Sequence, residues 1–147
     1  MADKNKDTQD RRRLRRFPAA QLEAWVKLRP GLIGQWYPVQ AFDFTRAGLS
    51  VRLQEELTVD TKLMVRLRMG LDMGNIAADR LVTRVRNVRK LADGAYMHGL
   101  EFDFKANRHM RSIQTQSQLG RMEGILDRSE KLRKRLMTQE ELLQELS

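Results

Sequence analysis

From Gln21 onward the chain alternates apolar and polar residues with a period of two. In "QLEAWVKLR", residues 21–29, Leu22, Ala24, Val26 and Leu28 share one face, while Gln21, Glu23, Lys27 and Arg29 share the other. Successive side chains of extended backbone point to opposite sides, so this pattern predicts a half-buried strand. Trp25 falls out of phase with its apolar neighbours, so it reads either as surface-exposed or as a partial cap over a barrel mouth, the latter favoured. "RPGLIG" supplies a Pro-Gly turn signal, and "QWYPVQAFDF" predicts a second strand in which Pro38 demands an edge or a bulge. "GLSVRLQEEL" turns Leu49, Val51 and Leu53 inward against Ser50, Arg52 and Gln54, and "KLMVRLRM" repeats the pattern with Leu63, Val65 and Leu67. "DMGNIAAD" reads as a connection. "RLVTRVRNVRKL" alternates again, with Val82 and Val88 among its apolar residues, and "ADGAY" carries an Asp-Gly hairpin signal. "YMHGLEFDF" is the sixth strand, with Leu100, Phe102 and Phe104 in phase. Six short strands separated by turn chemistry, with little helix between them, predict a mainly β fold: a small six-stranded antiparallel barrel.

After Phe104 the period changes. Residues 105–137 contain no proline and are rich in Arg, Lys, Gln, Met and Leu, a composition that favours helix. Met122, Ile125, Ser129, Leu132 and Leu136 follow 3-4-3-4 spacing, a seam that suits packing on another helix or on the preceding barrel. "TQEELLQEL" opens with capping-box spacing, Thr138 with Glu141, and predicts a short final helix. The expected organisation is a disordered stretch over residues 1–10, a barrel domain over 11–104 and a C-terminal α-helical extension over 105–147.

Charge sharpens this picture. The net charge is +9, of which residues 1–16 carry +4, residues 17–104 only +2 and residues 105–147 +3. An excess held at the two ends points to an anionic partner, whereas a general nucleic-acid binder carries a basic stripe across its folded face. The 147 residues include no cysteine, which removes disulfides, thiolate metal sites and a cysteine nucleophile. The two histidines, His98 and His109, have no flanking carboxylates at metal-ligand spacing. No nucleophile motif or phosphate-cradling glycine loop is present, so the reading is not an enzyme, with no metal or cofactor. The opening "MADKNKDTQD" lacks the apolar run of a signal peptide, and no segment reaches bilayer-spanning length; the expectation is a cytoplasmic protein with no membrane insertion.

Two short motifs carry candidate chemistry. "RRRLRRFP", residues 11–18, sets five arginines within six positions, and "DFTRAG", Asp43 to Gly48, lies where the second predicted strand meets the third. Either is ordinary alone: a solvated basic run, and a turn built from turn residues. Together, ahead of alternating strands that end in "GLEFDF", they resemble the PilZ domain family. That resemblance covers residues 11–104 and implies a six-stranded barrel that binds cyclic di-GMP, a bacterial second messenger. The family's R-x-x-x-R segment fits Arg12 and Arg16, with Arg11 immediately before the pair; the frame Arg11 with Arg15 also satisfies the spacing. In the family's [D/N]-x-S-x-x-G segment, Asp43 and Gly48 match, and Thr45 stands where serine is usual.

The resemblance therefore implies ligand-binding roles for Arg11, Arg12, Arg16, Asp43, Thr45 and Gly48, with Arg15 and Arg46 as secondary candidates. It implies one or two cyclic di-GMP molecules per protomer, an arginine at position 11 favouring a stacked pair, and a downstream protein whose identity it leaves open. The chemistry suits the ligand. Arginine's planar fork donates two parallel hydrogen bonds to guanine O6/N7 or to phosphate, and its face stacks on a base. A carboxylate accepts from guanine N–H groups, and a hydroxyl adds a further bond. Two alternatives remain: a ligand-independent protein–protein adaptor on the same fold, and a basic single-stranded nucleic-acid-binding barrel using Trp25, Trp36, Tyr37 and Phe42 as stacking platforms. Self-association through the C-terminal helix is also open.

Overall fold

The structure is a computed structural model that describes residues 17–18, 22–28, 35–71 and 73–146. It contains strands β1 (Phe17–Pro18), β2 (Leu22–Lys27), β3 (Tyr37–Thr45), β4 (Gly48–Leu53), β5 (Lys62–Gly70), β6 (Asn75–Lys90) and β7 (Tyr96–Phe102). Helices α1 (Arg108–Arg111) and α2 (Ile113–Leu146) follow. All pairings are antiparallel, in the order β1-β3-β2-β5-β6-β7-β4, and a further β3–β4 pairing closes strands β2 to β7 into a six-stranded barrel. Closure removes the open edges that a sheet of this size would otherwise present. The short β1 continues the edge of β3 beyond β2, with Phe17 opposite Phe44 and Pro18 opposite Asp43.

The alternating faces fall as the pattern dictates. Leu22, Ala24, Val26, Leu49, Val51, Leu63, Val65, Leu67 and Leu100 are buried in one core, where Phe44 and Phe102 meet edge to face at 6.4 Å. Pro38 sits near the start of β3, paired to Trp25 of β2 before the β3–β4 register begins at Gln40. The Asp-Gly turn forms as expected: Gly94 has a φ of 91°, and the Asp93 carboxylate accepts from the Ala95 amide at 3.0 Å. The Arg52 hydrogen bond, then that amide, hold the Asp93 carboxyl below its usual range.

Three expectations are corrected. "DMGNIAAD" is mostly strand: β6 begins at Asn75, and the connection shrinks to a tight turn in which the Leu71 amide donates to the Gly74 carbonyl. β6 absorbs the irregular pattern through an interruption of its β5 register near Arg80, whose φ is 52°. Thr138 caps nothing, since α2 runs unbroken through it and its hydroxyl donates back to the Lys134 carbonyl at 2.9 Å. Trp25 lies on the outer wall, opposite Arg66 in the middle of β2–β5, and not over a barrel mouth.

The helical region is fastened by two caps. The Asn107 side chain accepts from the Met110 amide at 2.9 Å, and Ser112 Oγ accepts from the Thr115 amide at 3.2 Å. Thr115, Leu119, Met122 and Leu126, spaced four, three and four apart, are buried on one helical face. That face packs over β1, β3 and β6 and joins the barrel core. Of the expected seam, Met122 is thus spent on the barrel, while Leu132 and Leu136 remain exposed.

Candidate functional site

The β3–β4 hairpin is a two-residue turn, Arg46–Ala47, closed by the Thr45–Gly48 pair. Thr45 Oγ1 accepts from the Ala47 amide at 3.0 Å, a job that a serine hydroxyl performs equally. The turn is tied down on both sides. Ala47's carbonyl accepts from the Phe102 amide of β7 at 2.9 Å, and Arg46's amide donates to Glu123 Oε2 of α2 at 2.8 Å. Gly48 is required by close approach: a Cβ there would run into the Leu100 carbonyl oxygen of the neighbouring strand. Between Ala41 and Phe44 the β3–β4 register slips by one residue, a bulge that includes Asp43.

These features border a cleft of ≈ 290 Å³ on the outer wall, running from β3 across β4 and β7 to β6. Asp43, Thr45 and Gly48 line one side, and Arg86, Asn87 and Glu101 the other, with Ser50 and Gly99 between them. Gly99 is registered with both Ser50 and Asn87, and the Asn87 amide lies so close over it that a Cβ would meet that side chain at 2.6–2.9 Å. A second bulge, between Val85 and Asn87, brings Arg86 to the rim. Arg86 Nη2 donates to Glu101 Oε1 at 3.0 Å, and its Nη1 stands 3.6 Å from Asp60. The Glu101 hydrogen bond and charge push the Arg86 guanidinium further above its already high value.

The structure thus brings Asp43, Thr45 and Gly48 to one cleft. Arg46 lies in the adjoining turn, its Nε 3.8 Å from Glu123. Arg11, Arg12, Arg15 and Arg16 lie outside the described residues. Ser50, Arg86, Asn87 and Glu101 carried no expected role, and Gly99 entered only as the start of the closing "GLEFDF" segment. One signal for them was present: Val85 and Val88 both face the core yet stand three apart, which a period-two strand permits only with a bulge at Arg86 or Asn87. The cleft's own charges are one arginine and two carboxylates, so it attracts anions only with cations brought from elsewhere.

Of the four aromatics of the nucleic-acid reading, both tryptophans are covered by arginines, while Tyr37 is exposed. Trp36 lies under Arg66, with the guanidinium 4.4 Å from the ring centre, and Trp25 lies under Arg68 at 5.5 Å. Arg66 and Arg68 are themselves bridged to Asp79 and Glu23. The two histidines are far apart in role. His98 is fully buried and its Nε2 accepts from the Leu57 amide at 3.0 Å, whereas His109 on α1 bonds the Asp79 carbonyl at 2.7 Å. Among the described residues, no group of three His, Asp or Glu side chains is arranged to hold a metal, and no helix is long and apolar enough to cross a membrane.

No protein-family model matches the chain, and no curated protein matches it. Among solved structures it is similar to the Borreliella burgdorferi PlzA protein crystallised in complex with c-di-GMP. The TM-score is 0.44 and the identity 11%; the match covers 84% of this chain and 56% of that one. The chain therefore spans little more than half the length of that neighbour.

Proposed function

We propose that this chain is a cyclic di-GMP receptor whose outer-wall cleft, completed by the arginines at positions 11–16, couples ligand binding to a partner protein. The reading rests on one observation above all. Strand β1 is registered against Asp43 and Phe44, and Arg16 precedes Phe17 by a single peptide bond. The basic segment therefore joins the barrel beside Asp43, Thr45 and Gly48, the three cleft residues that the two-motif resemblance names. Asp43 accepts from a guanine edge, the Thr45 hydroxyl keeps its hydrogen to donate while accepting from Ala47, and Gly48 lets β4 close against β7 beneath them. The arginines supply the charge that the cleft lacks, contacting phosphates and stacking on bases. Arg86 adds a cation on the far rim by exchanging Glu101 for a phosphate. Ligand on the turn is communicated to α2 through the Arg46–Glu123 hydrogen bond, which supplies the output.

Calorimetric titration of cyclic di-GMP into the full chain tests this, with GTP as a control. Saturable binding to cyclic di-GMP alone is expected, weakened about 10- to 100-fold by Arg16→Ala, as one charged hydrogen-bonding group of about 1.5–3 kcal/mol requires. The number of ligands bound per chain tests the stacked-pair role of Arg11. No heat at high micromolar ligand, from folded protein, would leave the ligand-independent adaptor in its place.

A further inference from the structure

Beyond Leu126, α2 leaves the barrel and exposes an apolar row. Leu132, Leu136 and Leu143 are 57%, 52% and 66% exposed. With Ser129 and Gln139 they continue the 3-4 spacing that defines a coiled-coil seam. From Lys131 onward the charges are sorted by sign. Lys131, Arg133, Lys134 and Arg135 form a basic block, whereas Glu140, Glu141 and Glu145 are the only charged residues from Thr138 to Leu146. Acid at a helix C-terminus opposes the helix dipole, and the last turn of α2 carries no base. Local helix energetics therefore give no reason for this arrangement.

We propose that the exposed half of α2 pairs antiparallel with the same segment of a second copy of this chain. The pattern itself selects the register. With the crossing between Met137 and Thr138, Leu132 meets Leu143 of the partner subunit, and Leu136 meets Gln139 of the partner subunit. The same register sets Arg133 beside Glu140 of the partner subunit, and each basic block along an acidic one. Arg133 is bridged to Glu130 within one chain at 2.9 Å, so the second acid joins an existing pair. A parallel pair would instead oppose Arg128 to Arg133 of the partner subunit and lay basic block on basic block. It would also crowd two barrels at one end. The antiparallel pair places them at opposite ends, each separated from the crossing by about 17 Å of helix. This inference does not depend on the ligand.

The natural chain lacks cysteine, which makes orientation directly measurable. Full-length Leu132→Cys and Leu143→Cys variants are oxidised separately and after mixing, without nucleotide. In the antiparallel register residue 132 lies about 16 Å from its own counterpart, too far for a disulfide, but beside residue 143 of the other chain. The mixture is expected to yield a cross-linked dimer and neither variant alone. Sedimentation of the unmodified chain is expected to show a concentration-dependent dimer, weakened at least 10-fold by Arg133→Glu and restored by Arg133→Glu with Glu140→Arg. Both substitutions are on exposed helix, and circular dichroism checks that the fold is retained. Self-cross-linking of Leu132→Cys, or a monomer up to about 100 µM chain, overturns the proposal.

Discussion

Single residues in the cleft hold their conformation for reasons that separate folding from binding. Thr45 satisfies the Ala47 amide through its hydroxyl, so Thr45→Ser should be close to neutral. Thr45→Val, nearly the same shape, leaves that amide without its partner and should cost about 1–3 kcal/mol in chemical denaturation. Equal stability of the two variants would remove the hydroxyl from the account. His98 makes a pH prediction. Burial holds it below its ordinary value of 6.5, against the opposing pull of the Tyr96 backbone and Glu56. The unfolded chain therefore binds the proton more readily than the folded one. Stability is complete above about pH 6.5 and declines as pH falls from there through the lower folded value. Thermal melts across that range should show the decline, and His98→Gln should flatten it; an unchanged slope in the variant would assign the effect to other groups. At this scale Asp43, Thr45 and Gly48 were legible because each is a turn residue at motif spacing. Arg86 and Glu101 were not, since each is an ordinary polar residue on a strand's outer face.

At the scale of elements, strict alternation read correctly wherever the strand was regular. β2, β4 and β5 lie where the pattern puts them, and Met69 extends the face of Leu63, Val65 and Leu67. The pattern misled where β6 departs from it. Two register interruptions along this strand break the period, and the first made residues 75–79 look like loop. The bulges at Ala41–Phe44 in β3 and Val85–Asn87 in β6 are the features that bring Asp43 and Arg86 to the cleft, so irregularity and site coincide. Helix composition identified α2, but its length was hidden by Thr138, whose capping-box spacing matches a start that the backbone does not make. The link between hairpin and helix is a single hydrogen bond, from the Arg46 amide to Glu123. Glu123→Ala should leave the barrel folded while raising amide hydrogen exchange at Arg46. It should also abolish any ligand-induced protection of residues 119–126. Full protection of α2 in that variant would mean that the signal travels by another route.

Across the whole molecule, a closed barrel supplies the wall, and the charge that the proposed ligand requires is carried outside it. The barrel region is close to charge balance, while the 16 residues before β1 hold seven bases and three acids. Under the proposed function, holding charge outside the scaffold lets the cleft form without like-charge repulsion, and an anionic ligand contacts both parts. The fold could be read from hydrophobic period because period is a property of each strand. The cleft could be read only in part, because it is assembled from β3, β4, β6 and β7, whose adjacency depends on barrel closure. The most direct test of the central claim is a nitrogen-15 NMR titration of the uniformly labelled chain with cyclic di-GMP. The account predicts saturating shifts at Asp43–Ser50, Arg86–Asn87 and Gly99–Glu101, together with the amides of residues 11–16. Shifts centred on Trp25, Trp36, Arg66 and Arg68 instead, or none at saturating ligand, would contradict it.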